Sequence, residues 1–183
     1  MSEYAQLIES TDKLPPDDLH PVLLGLFGEV GSIMATAKKI YREKEALIGL
    51  HQAVVEEFGD VLWYLTAICR RLNVQVDSLF SETTSGAEFE TLVVESDLPN
   101  SPVAKVSRSS FVPELDKTLL RLGEAAATVL LLAHDSVKPE EPLRAFVGWY
   151  VEALQAANMA FAEVVDYNGS FRCSRTVISP YFR

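Results

Sequence analysis

Four acids fall in two groups along this chain, Glu29 in one stretch and Glu56, Glu57 and Asp60 in another. On a helix, residues three apart share a side, so Glu57 and Asp60 offer two carboxylates to one place. At the edge of an apolar surface two such groups repel and are costly to dehydrate, so they need water or a cation between them. Glu29 becomes a third carboxylate if its helix pairs antiparallel with theirs. Three carboxylate oxygens plus water suit a hard divalent ion, Mg²⁺ or in its place Mn²⁺, which keeps waters that a substrate phosphate can replace.

Two helices must position these acids. Across residues 54–72, Val54, Phe58, Val61, Leu65, Ile68 and Leu72 recur in steps of four and three, the stripe of a bundle helix, with Glu57 and Asp60 on its flank. Gly59 between them is a poor helix former, which predicts close approach by a neighbour or ligand. Upstream, residues 21–41 place Leu23, Phe27, Val30, Met34, Ala37 and Tyr41 on a similar stripe, with Glu29 and Ser32 on the flank. Gly28 and Gly31 predict that another helix comes close on that face. The connector of residues 42–49 is short, which makes the two helices antiparallel neighbours. Trp63 is expected in the core, while Tyr64, one turn beyond Asp60, is the aromatic that could touch a base or sugar.

The run LLGLFGEVGSIMATAKK followed by EEFGDVLWYL resembles the MazG-like branch of the all-α nucleoside triphosphate pyrophosphohydrolases. The resemblance covers about residues 4–80 and is strongest in Glu57, Gly59, Asp60, Val61, Leu62, Trp63, Tyr64 and Leu65. It implies an ExxE motif on the first helix and ExxD on the second, together holding Mg²⁺. Glu29, Glu57 and Asp60 match three of those ligands; Ser32 replaces the fourth, and Gly28 stands where a supporting Glu is often found. It also implies a Lys near Lys38 and Lys39 that reaches a substrate phosphate, although cations there also suit a helix C-terminus. By the same resemblance the substrate is a nucleoside triphosphate and the protein a homo-oligomer, in the first instance a dimer; Glu57 takes a catalytic role, and Glu56, or a water in place of the missing carboxylate at Ser32, completes the metal shell or orients the attacking water.

The whole chain sets bounds on these expectations. Its 183 residues, 48% hydrophobic and 23% charged, allow one substantial core or two small ones. A net charge of −10 argues against binding to polymeric nucleic acid or an anionic membrane. No apolar run reaches the length a spanning helix needs and no signal peptide is evident, so the expected place is the cytoplasm. Two distant cysteines, Cys69 and Cys173, read as reduced structural thiols.

In order, residues 1–13 predict a short helix with Tyr4, Leu7 and Ile8 inward, and Asp17 and Asp18 start the next. His20, His51 and His134 are each isolated and read as caps or packing residues. Residues 81–112, rich in Ser, Thr and Pro, predict a linker with one alternating piece from Phe89 to Val94. A helix resumes at Pro113 and is apolar on every side after Gly123, which predicts a central position. Leu143, Val147, Tyr150, Leu154, Ala157, Phe161 and Val164 form a last stripe, and residues 168–183 read as an irregular tail.

The expected architecture is thus all-α, a MazG-like four-helix bundle of two helical hairpins, residues 1–80 and 113–167, joined by the linker. A duplication would lay Glu124 on Glu29 and Glu152 on Glu57, but it moves Val54, Phe58 and Val61 onto Trp149, Ala153 and Ala156, off the last stripe. Two functions follow. One is Mg²⁺-dependent hydrolysis of a nucleoside triphosphate to its monophosphate and pyrophosphate; the other is a bundle that kept the fold and lost the reaction, serving as a nucleotide-binding or oligomerisation module. A di-iron bundle is disfavoured, since the chain has no Glu-x-x-His pair.

Overall fold

Helical periodicity dominates the sequence, and helices dominate the protein. The computed structural model describes residues 2–43, 50–83, 112–134 and 136–175. Among them are α1 (Ser2–Thr11), α2 (His20–Glu43), α3 (Leu50–Arg71), α4 (Val76–Thr83), α5 (Val112–Val129), α6 (Glu140–Ala156) and α7 (Phe161–Arg175), with a 3₁₀ turn at Leu130–Ala133 and no strand. The expected linker lies almost wholly outside the described residues, as does the piece from Phe89 to Val94.

Helix α2 packs along α3 and helix α5 along α6, one pair in each of the two segments. Contacts of α2 with α5 and of α4 with α6 join them, while α1 and α7 both lie on α3. The bundle is organised around α3, whose Phe58, Val61, Leu62, Leu65, Thr66, Ala67, Ile68 and Cys69 are all buried. Burial pushes the Cys69 thiol up to about 12, so it stays protonated and unreactive. The apolar composition of α5 predicts a central helix; instead Glu124, Ala127, Thr128 and Leu131 face outward and only one side is buried. Alanines account for much of that composition, and they do not force burial.

An aromatic cluster joins the two hairpins. Tyr150 of α6 packs on Phe58 of α3 with ring centroids 5.6 Å apart, and Phe80 of α4 lies 5.0 Å from Phe161 of α7. The buried Tyr150 hydroxyl donates to the Phe58 carbonyl at 2.9 Å, which meets its need for a partner away from water.

Helix ends explain a correction at the C-terminus. A single stripe from Leu143 to Val164 predicts one helix and an irregular tail from residue 168, but the chain breaks after Ala156 and α7 then runs to Arg175. Asn158 has φ 52°, Met159 N–H donates to Leu154 O at 3.0 Å and Asn158 N–H to Gln155 O at 2.9 Å, a Schellman stop with Asn in the left-handed position. Helix α3 ends the same way: Asn73 has φ 54° and Val74 N–H donates to Cys69 O at 2.8 Å. Beside it, Arg71 reaches back to Asp12 at 2.6 Å and to the Pro15 carbonyl at 3.0 Å, tying the end of α3 to the turn after α1.

Helix α2 differs from its expected stripe. Val22, Leu23, Leu26, Val30, Ile33 and Thr36 are buried, whereas Phe27 is exposed, so the inward face is turned toward Leu26 and Ile33. Among the described residues a Cβ added at Gly28 or Gly31 would meet nothing within 4 Å, so the expected close approach is not found there. The close approach is at Gly25, where an added Cβ would run into the Tyr64 ring. The stretch His20–Lys39 is also apolar enough by length and composition to cross a bilayer, contrary to the expectation; 39% of it is buried within the bundle.

Candidate functional site

The acids of α3 sit where its exposed first half meets its buried second half. Glu56, Glu57 and Asp60 are all half-buried, between the buried Val55, Phe58 and Val61. Burial holds the Glu57 carboxyl above its ordinary range; the nearby charges of Asp60 and Glu56 push the same way, and Lys39 opposes them. Local spacing alone produces this crowding, since three acids occupy five consecutive positions of one helix.

One electrostatic influence and one close approach give the register of the hairpin. Lys39, late in α2, is felt at Glu57, early in α3, whereas Gly25, early in α2, lies against Tyr64, late in α3. The helices therefore run antiparallel, as their short connector predicts. Gly25, Glu29, Ser32 and Thr36 follow one another in steps of four and three, so Glu29 and half-buried Ser32 share the line of α2 that begins under Tyr64. That line faces the α3 edge carrying Glu57 and Tyr64.

Among the described residues no group of three or more His, Cys, Asp and Glu side chains is gathered as a metal cage. The expected convergence of Glu29, Glu57 and Asp60 on one point is thus not present as a ready-made cage. What is assembled is a carboxylate pair on one helix turn, with Glu56 beside it and Lys39 opposite. Lys38 is exposed on the same turn as Lys39. Tyr64 packs its ring over Gly25 and edge-on to Trp63 at 4.9 Å, so part of its surface is occupied by the hairpin itself. Trp63 is in the core, with its indole N–H donating to Thr11 Oγ1 at 3.2 Å.

One residue at this site was missed from the sequence. Asn168 of α7, which falls in the expected irregular tail, is buried and donates from Nδ2 to Asp60 Oδ1 at 3.2 Å. Its Oδ1 accepts from the Tyr4 hydroxyl at 2.9 Å. It also explains Gly59, whose added Cβ would lie 2.9 Å from both Cβ and Nδ2 of Asn168. The signal was present: Asn168 lies four residues after Val164, the next step of the last apolar stripe, and a polar residue on such a stripe needs a buried partner.

No family model matches the sequence, and no solved structure matches the fold. A stretch of 65 residues, 34% of the chain, is 34% identical to the Gene 37 protein of Mycobacterium phage L5. That stretch spans 57% of the phage protein, little more than half its length.

Proposed function

We propose that the protein is a cytoplasmic, Mg²⁺-dependent nucleoside triphosphate pyrophosphohydrolase with a MazG-like four-helix bundle, working as a homodimer. The observation that carries this is Glu57, crowded by Asp60 and Glu56 at a half-buried helix edge and faced by Lys39. The donor set fits a hard cation: all its oxygens are carboxylates, their mutual repulsion is what a cation relieves, and Mg²⁺ is commonly held by one or two carboxylates together with substrate phosphates. When bound, Mg²⁺ supplies neutralisation of phosphate charge and a more acidic water.

In this reading Glu57 and Asp60 would hold the ion, while Glu29, on the facing line of α2, is not gathered with them. Glu56 orients the attacking water, and Glu56 or Glu57 takes up its proton. Lys39, with Lys38 beside it, meets the phosphate oxygens as a point charge. Tyr64 flanks the nucleoside with the surface left exposed by Gly25. Water adds at phosphorus, the bond between the α and β phosphates breaks, and pyrophosphate leaves. Exposed Leu24 and Phe27, beside the open Gly28 and Gly31, support a second copy of the chain as the partner.

The test is pyrophosphate release from a panel of nucleoside triphosphates, with and without Mg²⁺, by the natural protein and Glu57→Ala. Mg²⁺-dependent release that disappears in the variant is expected; no release by the folded natural protein would overturn the proposal. The second reading, a bundle without catalysis that binds nucleotide or oligomerises, is favoured by Ser32, a hydroxyl on the Glu29 line where the resemblance expects a carboxylate. An inactive natural protein made active by Ser32→Glu would select it.

A further inference from the structure

We propose that Asn168 is a positioning residue for the Asp60 carboxylate, and that Tyr4 sets the direction in which Asn168 points; this rests on the metal-binding role proposed for Asp60. An ionised carboxylate only accepts hydrogen bonds, so the amide of Asn168 must turn its N–H toward Asp60 and its carbonyl oxygen toward Tyr4. The Tyr4 hydroxyl donates to that oxygen, so the chain from α1 through α7 to α3 has each donor matched to an acceptor. Flipping the amide would place two acceptors against each other at Asp60.

Three features fit positioning of Asp60 better than simple filling of the core. Asn168 is 3% exposed while Asp60 is half-buried, so the bond runs from the interior outward to the site. Gly59, next to Asp60, leaves no room for a side chain: an added Cβ would lie 2.9 Å from both Cβ and Nδ2 of Asn168. Three helices meet at this chain of bonds: α1 and α7 each lie on α3 as well as on one another. A hydrogen bond from outside the ligand set fixes the rotation of a metal-holding carboxylate, and removal of such bonds typically weakens metal binding about ten- to a hundredfold.

The experiment is a titration of the full-length protein with Mn²⁺, following free Mn²⁺ by electron paramagnetic resonance, for the natural protein, Asp60→Ala, Asn168→Ala, Tyr4→Phe and the Tyr4→Phe, Asn168→Ala double variant. Asn168→Ala is expected to weaken binding about tenfold or more. Tyr4→Phe, which removes a single oxygen, should weaken it less and add nothing on top of Asn168→Ala, because it acts through that residue. If Asp60→Ala abolishes binding while Asn168→Ala stays within about twofold of the natural protein, the positioning role is overturned and the metal site stands. If Asn168→Ala does not fold, Tyr4→Phe decides alone: unchanged affinity overturns the proposal. No Mn²⁺ binding by the natural protein would overturn the metal site and this inference with it.

Discussion

The two hairpins share a construction and differ in what their flanks carry. In α2 and α3 the flank is closed down: Tyr64 sits over Gly25, Asn168 over Gly59, and the acids between are half-buried. In α5 and α6 two acids stand in water: Glu124 is exposed and paired with Arg121 at 2.8 Å, and Glu152 is exposed. The second hairpin contributes packing to the first, through Tyr150 on Phe58. The two hairpins therefore differ less in whether they carry acids than in whether neighbouring helices take water away from them.

The sharpest break of this contrast is by charge removal. Glu57→Ala and Asp60→Ala should each reduce Mg²⁺-dependent pyrophosphate release at least about a hundredfold, while Glu124→Ala and Glu152→Ala leave it unchanged. Loss in all four would show that the hairpins are not distinct. Next in size is the packing that joins them: Phe58→Ala should destabilise by about 3–5 kcal/mol in urea unfolding, since the ring is fully buried against Tyr150.

The glycines sharpen the comparison within α2. Gly25→Ala should cost about 1–3 kcal/mol, because its Cβ would meet the Tyr64 ring. Gly28→Ala, which meets nothing among the described residues, should stabilise by up to about 1 kcal/mol through helix propensity. Equal melting shifts of the same sign would refute the packing assigned to Tyr64. At the small end, Arg121→Ala should change stability by no more than about 0.5 kcal/mol, since its ion pair is exposed.

A pH dependence follows from the first hairpin. The folded-state pKa of Glu57 is raised above its ordinary 4.5, so the folded protein holds that proton more tightly than the unfolded chain. Its contribution is fully present below 4.5 and is lost as pH rises through the folded-state value. Asp12 runs the other way: burial pushes its carboxyl up, but hydrogen bonds from Arg71 and Leu14 and the Arg71 and Arg70 charges outweigh it, so the pKa is lowered. Its contribution is present above 3.8 and is lost as pH falls through the folded-state value. Glu57→Gln should flatten the loss of stability on the alkaline side of 4.5 and leave the acid limb in place, measured by urea unfolding across pH.

Much of this was readable along the chain, and the failures have physical causes. The stripe of α3, the short α2–α3 connector and the buried Trp63 all follow from local period and composition. Phe27 and Gly28 misled because α2 is apolar on more than one side, and period alone does not choose which side faces α3. Asn158 and Asn73 each stop a helix by adopting a left-handed backbone, a choice that few side chains make and that Asn allows without announcing it. That stop hid α7 and, with it, Asn168.

What the sequence determined by itself is the helical content, the pairing of α2 with α3 and the crowding of Glu56, Glu57 and Asp60, because these depend on residues within a few turns of one another. Tertiary structure alone decided that α3 and not α5 is central, that Gly25 rather than Gly28 admits a neighbour, and that Asp60 is held by Asn168. Those outcomes require groups as far apart in the chain as Tyr4 and Asn168 to meet, and such a meeting is set by the packing of whole helices, where no local pattern records it.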